Sequence, residues 1–156
     1  MPEVYIAGAD MIRFGRHPDR SPFQLAAEAS LLALDDCGLT IRDIEAVYAG
    51  STFNSASMVA QRMLQLIGQT GVPCVNVSNA CAAGASAVRQ GILAIKSGEY
   101  DVVLAVGAEK NPRGLLASPP SDGPPAEGLF GSISTPAIFA EAGLDPVRLH
   151  QEAAIL

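Results

Sequence analysis

Charge is scarce in this chain. Charged residues make up 17% of it and hydrophobic residues 49%, with a mean hydropathy of +0.26, against roughly 25% charged in an average soluble domain. A domain of 156 residues keeps much of its surface in water. The shortage of charge therefore implies that another subunit or further chain covers part of that surface; an alanine-rich chain with nothing missing is the plainer alternative. Basic residues are scarcer than acidic ones: 10 Lys and Arg against 16 Asp and Glu give a formal charge of -6 and a pI near 4.7. That balance removes the electrostatic basis for binding nucleic acid or an anionic membrane. The opening MPEVYIAGAD has no basic leader region, and no apolar run approaches the ~18 residues of a spanning helix, so a soluble, cytoplasmic protein is expected. The 3 cysteines include no CxxC pair, which indicates neither a disulfide framework nor a zinc site, and no metal is expected. No GxGxxG follows a strand and no P-loop lysine motif occurs, so nucleotide-fold readings lose their main support.

What is present is an alternation of short apolar runs with helical patterns. Val4 to Ala9 (VYIAGA) reads as a buried strand. Ser21 and Gln24, with Pro22 between them, form a capping box that opens a helix whose stripe is Leu25, Ala29, Leu32 and Ala33, with Gly38 as its left-handed stop. Residues 45 to 49 read as a second strand. The run SASMVAQRMLQLIG reads as a second helix ending at Gly68 or Gly71, and VPCVNV as a third strand. The stretch from Cys81 to Lys96, closed by Gly98, precedes a fourth strand in YDVVLAVGAE. Strands alternating with helices predict an α/β fold: a mostly parallel sheet with helices on both faces. The α/β core spans 1–110. Region 111–156 begins with a Pro/Gly-rich stretch, NPRGLLASPPSDGPPAEGLFGSISTP, too long for a simple connection and read as a substrate lid or a floppy excursion.

The chemistry concentrates in VPCVNVSNACAAGASAV. Cys81 follows a buried strand and a tight Ser-Asn-Ala turn, at the first turn of a helix, where unpaired backbone N–H groups and the positive dipole end favour a thiolate. Ala80, Ala82, Ala83 and Gly84 leave room for a substrate carbonyl, and the Cys81 N–H is placed to meet a developing oxyanion. From these residues alone two readings stay open, a nucleophile on a strand-to-helix elbow and a small buried thiol that only packs. Cys37 and Cys74 read as packing residues, His17 and His150 as solvated, and Glu109, at the end of the fourth strand, as a structural hydrogen-bonding group.

The ordered succession VYIAGADMIRFGR, SPFQLAAEASLLALDDCGL, IEAVYAGS, VNVSNACAAGASAV and VVLAVGAEK resembles the N-terminal half of a thiolase, closest to the sterol-carrier or lipid-transfer branch. The resemblance covers roughly residues 4 to 110 and implies a strand order of 3-2-1-4. It implies that Cys81, in the Asn79-x-Cys81-x-x-Gly84 stretch, attacks an acyl-CoA thioester, with Asn79 and Gly84 supporting the turn and oxyanion. Carbon–carbon bond formation or cleavage next to the thioester would follow. It also implies an activating histidine and a second cysteine supplied by a C-terminal half; neither a G-H-P nor a C-x-G motif lies downstream of Cys81.

The expected function is thus a thiolase-like acyl-CoA C-acyltransferase, present as a fragment or as one subunit of a split enzyme. Alternatives are a non-catalytic acyl-CoA or lipid-binding and assembly module, and a retro-aldol or ketosynthase-like variant of the same fold. Coenzyme A enters only as the thioester substrate, with no bound cofactor. Leu115, Leu116, Leu129 and Phe130 are candidate contacts for the acyl chain. The expected partners are a second copy, paired through residues 72–77 as in thiolases, and a chain carrying the other thiolase half.

Overall fold

A computed structural model describes residues 3–54 and 57–110; Leu115, Leu116, Leu129, Phe130 and His150, with the rest of 111–156, lie outside the described residues. Helix α1 spans Pro22–Asp36 and opens as the sequence requires: Ser21 Oγ accepts from the Gln24 backbone N–H, and the Gln24 side chain accepts from the Ser21 N–H. Gly38, at φ +69°, turns the chain away just past its end. A single 3-10 turn, Ile41–Asp43, starts on a second capping pair, Thr40 and Asp43. Strand β1 (Ala46–Gly50), helix α2 (Val59–Ile67), strand β2 (Cys74–Val77), helix α3 (Ala83–Ser97) and strand β3 (Val103–Gly107) follow.

The three strands form one parallel sheet in the order β2-β1-β3. Side chains alternate across it. Val47, Ala49, Leu104 and Val106 join the core built by α1 and α2, with Phe23, Ala26, Ala27, Val59, Ala60 and Met63. Tyr48 and Val103 lie on the opposite face, against Gly91 of α3. Helices therefore cover both faces, as the binary pattern requires.

Several expectations are corrected. Val4–Ala9 is not a strand: Tyr5 and Ile6 are 78% and 82% exposed. The segment lies over the end of α1, where the Ala9 N–H donates to Asp36 at 3.0 Å and Gly8 sits against Ala33 and Cys37. An apolar run becomes a strand only where an edge is free to pair with it, and this one meets a helix end instead. The 3-2-1-4 order fails with it, because β3 pairs directly with β1. The buried residues of α1 are Phe23, Leu25, Ala26, Ala27, Ser30 and Leu34, so Leu25 is buried as expected while Leu32 faces outward. Small residues at 26, 27 and 30 let α2 approach closely, and Ser30 Oγ reaches Met63 Sδ at 3.2 Å. Met58, just before α2, and Leu66 on it are exposed, Arg62 stacks on the Phe23 ring at 3.8 Å, and Val59, Ala60, Met63 and Leu64 are buried.

Candidate active site

The carboxyl ends of parallel strands are where α/β folds collect their ligands, above all where successive crossovers leave in opposite directions. Here β1 is followed by β2 on one side, and the chain then passes through α3 to reach β3 on the other. The Cys81 turn forms at this end. Val77 O accepts from the Ser51 N–H at 3.0 Å. The chain then turns tightly: Ala82 N–H donates to Asn79 O at 2.9 Å and Ala83 N–H to Ala80 O at 3.2 Å. Ala80 takes φ +42°, a left-handed conformation that costs a non-glycine residue roughly 1–2 kcal/mol and persists only where the surroundings enforce it. Cys81 is exposed at the outside of this turn, two residues before α3.

Asn79 lies in the turn and its Nδ2 donates to Ser86 Oγ at 2.8 Å, tying the turn to the first part of α3. Gly84 lies in the first turn of α3, with its Cα against Gly107. The close approach depends still more on Gly50, because a Cβ there would stand 2.4 Å from Ala83 O. Bare backbone at the ends of β1 and β3 thus lets α3 seat its N-terminus directly on the sheet end. No side chain caps α3 at Ala82, so the thiol lies beside a helix start whose N–H groups are not claimed by a capping side chain.

A second cluster braces this end. The Glu109 carboxylate, just beyond β3, accepts from Ser51 Oγ at 3.3 Å, the Thr52 N–H at 2.6 Å, the Phe53 N–H at 3.1 Å and Asn54 Nδ2. Thr52 Oγ1 donates to Ala80 O. The structural role expected for Glu109 is met by these bonds, but Thr52 was not visible as a site residue in the sequence. Its contacts reach 28 and 57 residues along the chain, and no local motif announces them. Asn76, on β2, links the sheet to α2. Its Oδ1 accepts from the Ala60 N–H at 2.9 Å and its Nδ2 donates to Gln61, which caps α2 from a neighbouring strand where Met58, itself left-handed, supplies no cap.

The other candidates stand apart from this arrangement. Cys37 Sγ donates to Ala33 O and Leu34 O at the end of α1. Cys74 is half-buried on β2, and burial pushes its thiol pKa up. His17 Nε2 lies 3.0 Å from Arg13 O in the loop before α1. Among the described residues no group of three His, Cys, Asp or Glu side chains is placed to hold a metal, and no helix is long and apolar enough to cross a membrane.

The described residues form a parallel α/β domain with an exposed cysteine on the turn between its edge strand and a sheet-covering helix. Residues 4–113 match the thiolase N-terminal domain, and the chain belongs to the thiolase family. It is 40% identical over 118 residues to non-specific lipid-transfer protein-like 2 of Caenorhabditis elegans, covering 74% of this chain and 28% of that protein. It is 35% identical over 114 residues to an acetyl-CoA acetyltransferase of Methanothermobacter thermautotrophicus, covering 70% and 30%. It is 31% identical over 160 residues to sterol carrier protein 2 of Gallus gallus, covering 94% and 29%. The chain thus spans less than a third of these relatives' length. Among solved structures it is similar in fold to 3-oxoacyl-[acyl-carrier-protein] synthase III of Aquifex aeolicus, with a TM-score of 0.51 at 21% identity over 59% of this chain and 30% of that one. OleA of Xanthomonas campestris gives the same TM-score of 0.51 at 18% identity, over 60% and 28%.

Proposed function

We propose that this chain supplies the nucleophile-bearing half of a thiolase-type acyl-CoA acyltransferase acting in lipid metabolism, with Cys81 as the nucleophile. The observation that carries the reading is the exposed Cys81 thiol on a braced turn between β2 and α3, at the carboxyl end of the sheet. In this reading the Cys81 sulfur attacks the thioester carbonyl, coenzyme A leaves as its thiol, and an acyl-S-Cys81 intermediate remains. Backbone N–H groups at the start of α3 stabilise the oxyanion, and Asn79 and Gly84 fix the turn that presents them. The base and the acid/base for the α-carbon come from a second thiolase half. Two apolar surfaces support such partners: Val88, Ile92 and Leu93 stand exposed along α3, and Val75 is 49% exposed on the edge strand β2, the expected seat of a second copy. Leu115, Leu116, Leu129 and Phe130, in the region 111–156 that follows the α/β core of 1–110, are the proposed contacts for the acyl chain.

The relatives named for sterol or lipid carriage favour a second reading, in which the chain binds acyl-CoA or lipid without turning it over. Incubation with acetyl-CoA and longer acyl-CoAs separates the two, read as free coenzyme A and as the intact mass of the protein. Acylation predicts stoichiometric release of coenzyme A, a matching acyl mass on the wild type and neither on Cys81→Ala. Turnover of 3-ketoacyl-CoA by the lone chain stays lower by orders of magnitude, since each proton-transfer group contributes about 10²–10⁴-fold. Binding without release of coenzyme A supports the carrier reading instead.

A further inference from the structure

We propose that Glu109 and Thr52 form a positioning relay for Cys81, in which the carboxylate fixes Thr52 and the Thr52 hydroxyl holds the left-handed turn that presents the thiol. The inference rests on the reading of Cys81 as nucleophile and adds to it the residues that set its place.

A carboxylate offers about four lone-pair sites. Four donors of one short loop fall on Glu109: Ser51 Oγ, Phe53 N–H and Asn54 Nδ2 on Oε1, and the Thr52 N–H on Oε2. These four bonds tie the carboxylate to residues 51–54. The bonds also exceed what the sheet end needs, because β1 and β3 are already joined up to Gly50 and Gly107, and Ala108 N–H reaches Gly50 O at 3.0 Å. What the carboxylate adds is the exact placement of residues 51–54. Within that loop Thr52 is 6% exposed and faces two ways, its backbone N–H toward Glu109 and its hydroxyl toward Ala80 O.

Ala80 O thus accepts both from Thr52 and from the Ala83 N–H that starts α3. It belongs to the residue with φ +42° and leads directly into Cys81. A left-handed alanine relaxes unless something holds it, and the Thr52 hydroxyl is the side-chain group that holds this carbonyl. Removing either member of the relay lets the turn relax and moves the sulfur relative to the start of α3. Misplacement of a reacting group by about 1 Å costs up to about 100-fold in rate.

The test compares wild type, Glu109→Gln, Thr52→Val, Thr52→Ser and the double variant Glu109→Gln/Thr52→Val. Two rates are read at Cys81, acylation by acetyl-CoA and alkylation by iodoacetamide, and labelling of Cys37 and Cys74 in the same samples reports the integrity of the fold. Glu109→Gln and Thr52→Val each slow both Cys81 reactions about 10- to 100-fold while Cys37 and Cys74 label as in the wild type. Thr52→Ser restores the rate, and the double variant is no slower than the worse single one, as expected for groups acting in series. Unchanged Cys81 rates in folded Thr52→Val, no rescue by serine, or additive effects overturn the relay. If Glu109→Gln loses the fold, seen as a rise in Cys74 labelling, the Thr52→Val and Thr52→Ser pair decides alone. If wild-type Cys81 takes no acyl group yet its alkylation follows the relay variants, the nucleophile reading fails and the positioning relay stands.

Discussion

The two ends of this domain are held by different means. At the carboxyl end of the sheet, polar bonds close on one another: Glu109 gathers the loop after β1, Thr52 holds Ala80, Asn79 holds Ser86 and Asn76 caps α2. The segment before α1 is richer in apolar side chains yet poorly fixed, with Tyr5, Ile6, Met11 and Phe14 all at least 66% exposed. Hydrophobicity is non-directional, so an apolar run gains a defined place only when a complementary surface exists for it. Hydrogen bonds are directional and fix the backbone groups that make them, and the residues proposed for chemistry lie among them.

The contrast breaks most visibly at the exposed apolar edge. Val75→Lys places a charge on β2 where a second copy is proposed to pair, and the expected outcome is loss of the dimer by light scattering, to monomer or to insoluble protein. An unchanged dimer argues against this edge as the interface. Next in size is the difference between core and segment. Met63 is fully buried between α1, α2 and the sheet, so Met63→Ala destabilises by about 2–5 kcal/mol in urea unfolding. Ile6→Ala, at 82% exposure, stays within about 0.5 kcal/mol; a comparable loss there would mean that the segment is packed after all. The smallest effect is a pH dependence. Burial raises the Cys74 thiol above its ordinary value of 9.0, so the native state keeps that proton to higher pH than the unfolded chain. The corresponding stability is present below the unfolded thiol's pKa and lost as the pH rises through the raised one. Urea midpoints from pH 7 upward therefore fall slightly more in wild type than in Cys74→Ala, and parallel curves would contradict the burial of this thiol.

The same division explains what was legible in the sequence. The Ser21–Gln24 capping box, the stops at Gly38, Gly68 and Gly98, and the strand–helix alternation from Ala46 onward are local signals, and the structure bears them out. The Thr40–Asp43 capping pair is a local signal of the same kind. Val4–Ala9 misled because strand periodicity states what a segment can bury and says nothing of whether an edge awaits it. Leu32 misled because helical spacing from Leu25 fits more than one face of α1, whereas small residues at Ala26, Ala27 and Ser30 create the close helix contact. At the candidate site, the order of segments pointed to Cys81 and its turn. The role of Thr52 was invisible because it depends on register between neighbouring strands, which brings residue 52 beside residues 80 and 109.

The thiol proposed to react is the exposed one on the braced turn. Limiting iodoacetamide at neutral pH, followed by peptide mapping of the folded protein, tests it directly, because the three thiols compete in one tube. Cys37 is engaged with two carbonyl oxygens and Cys74 is half-buried with its thiol pKa raised. The Cys81 peptide is expected to be labelled first, and preferential labelling of Cys37 or Cys74 in protein that remains folded would contradict the assignment of Cys81 as the reactive thiol.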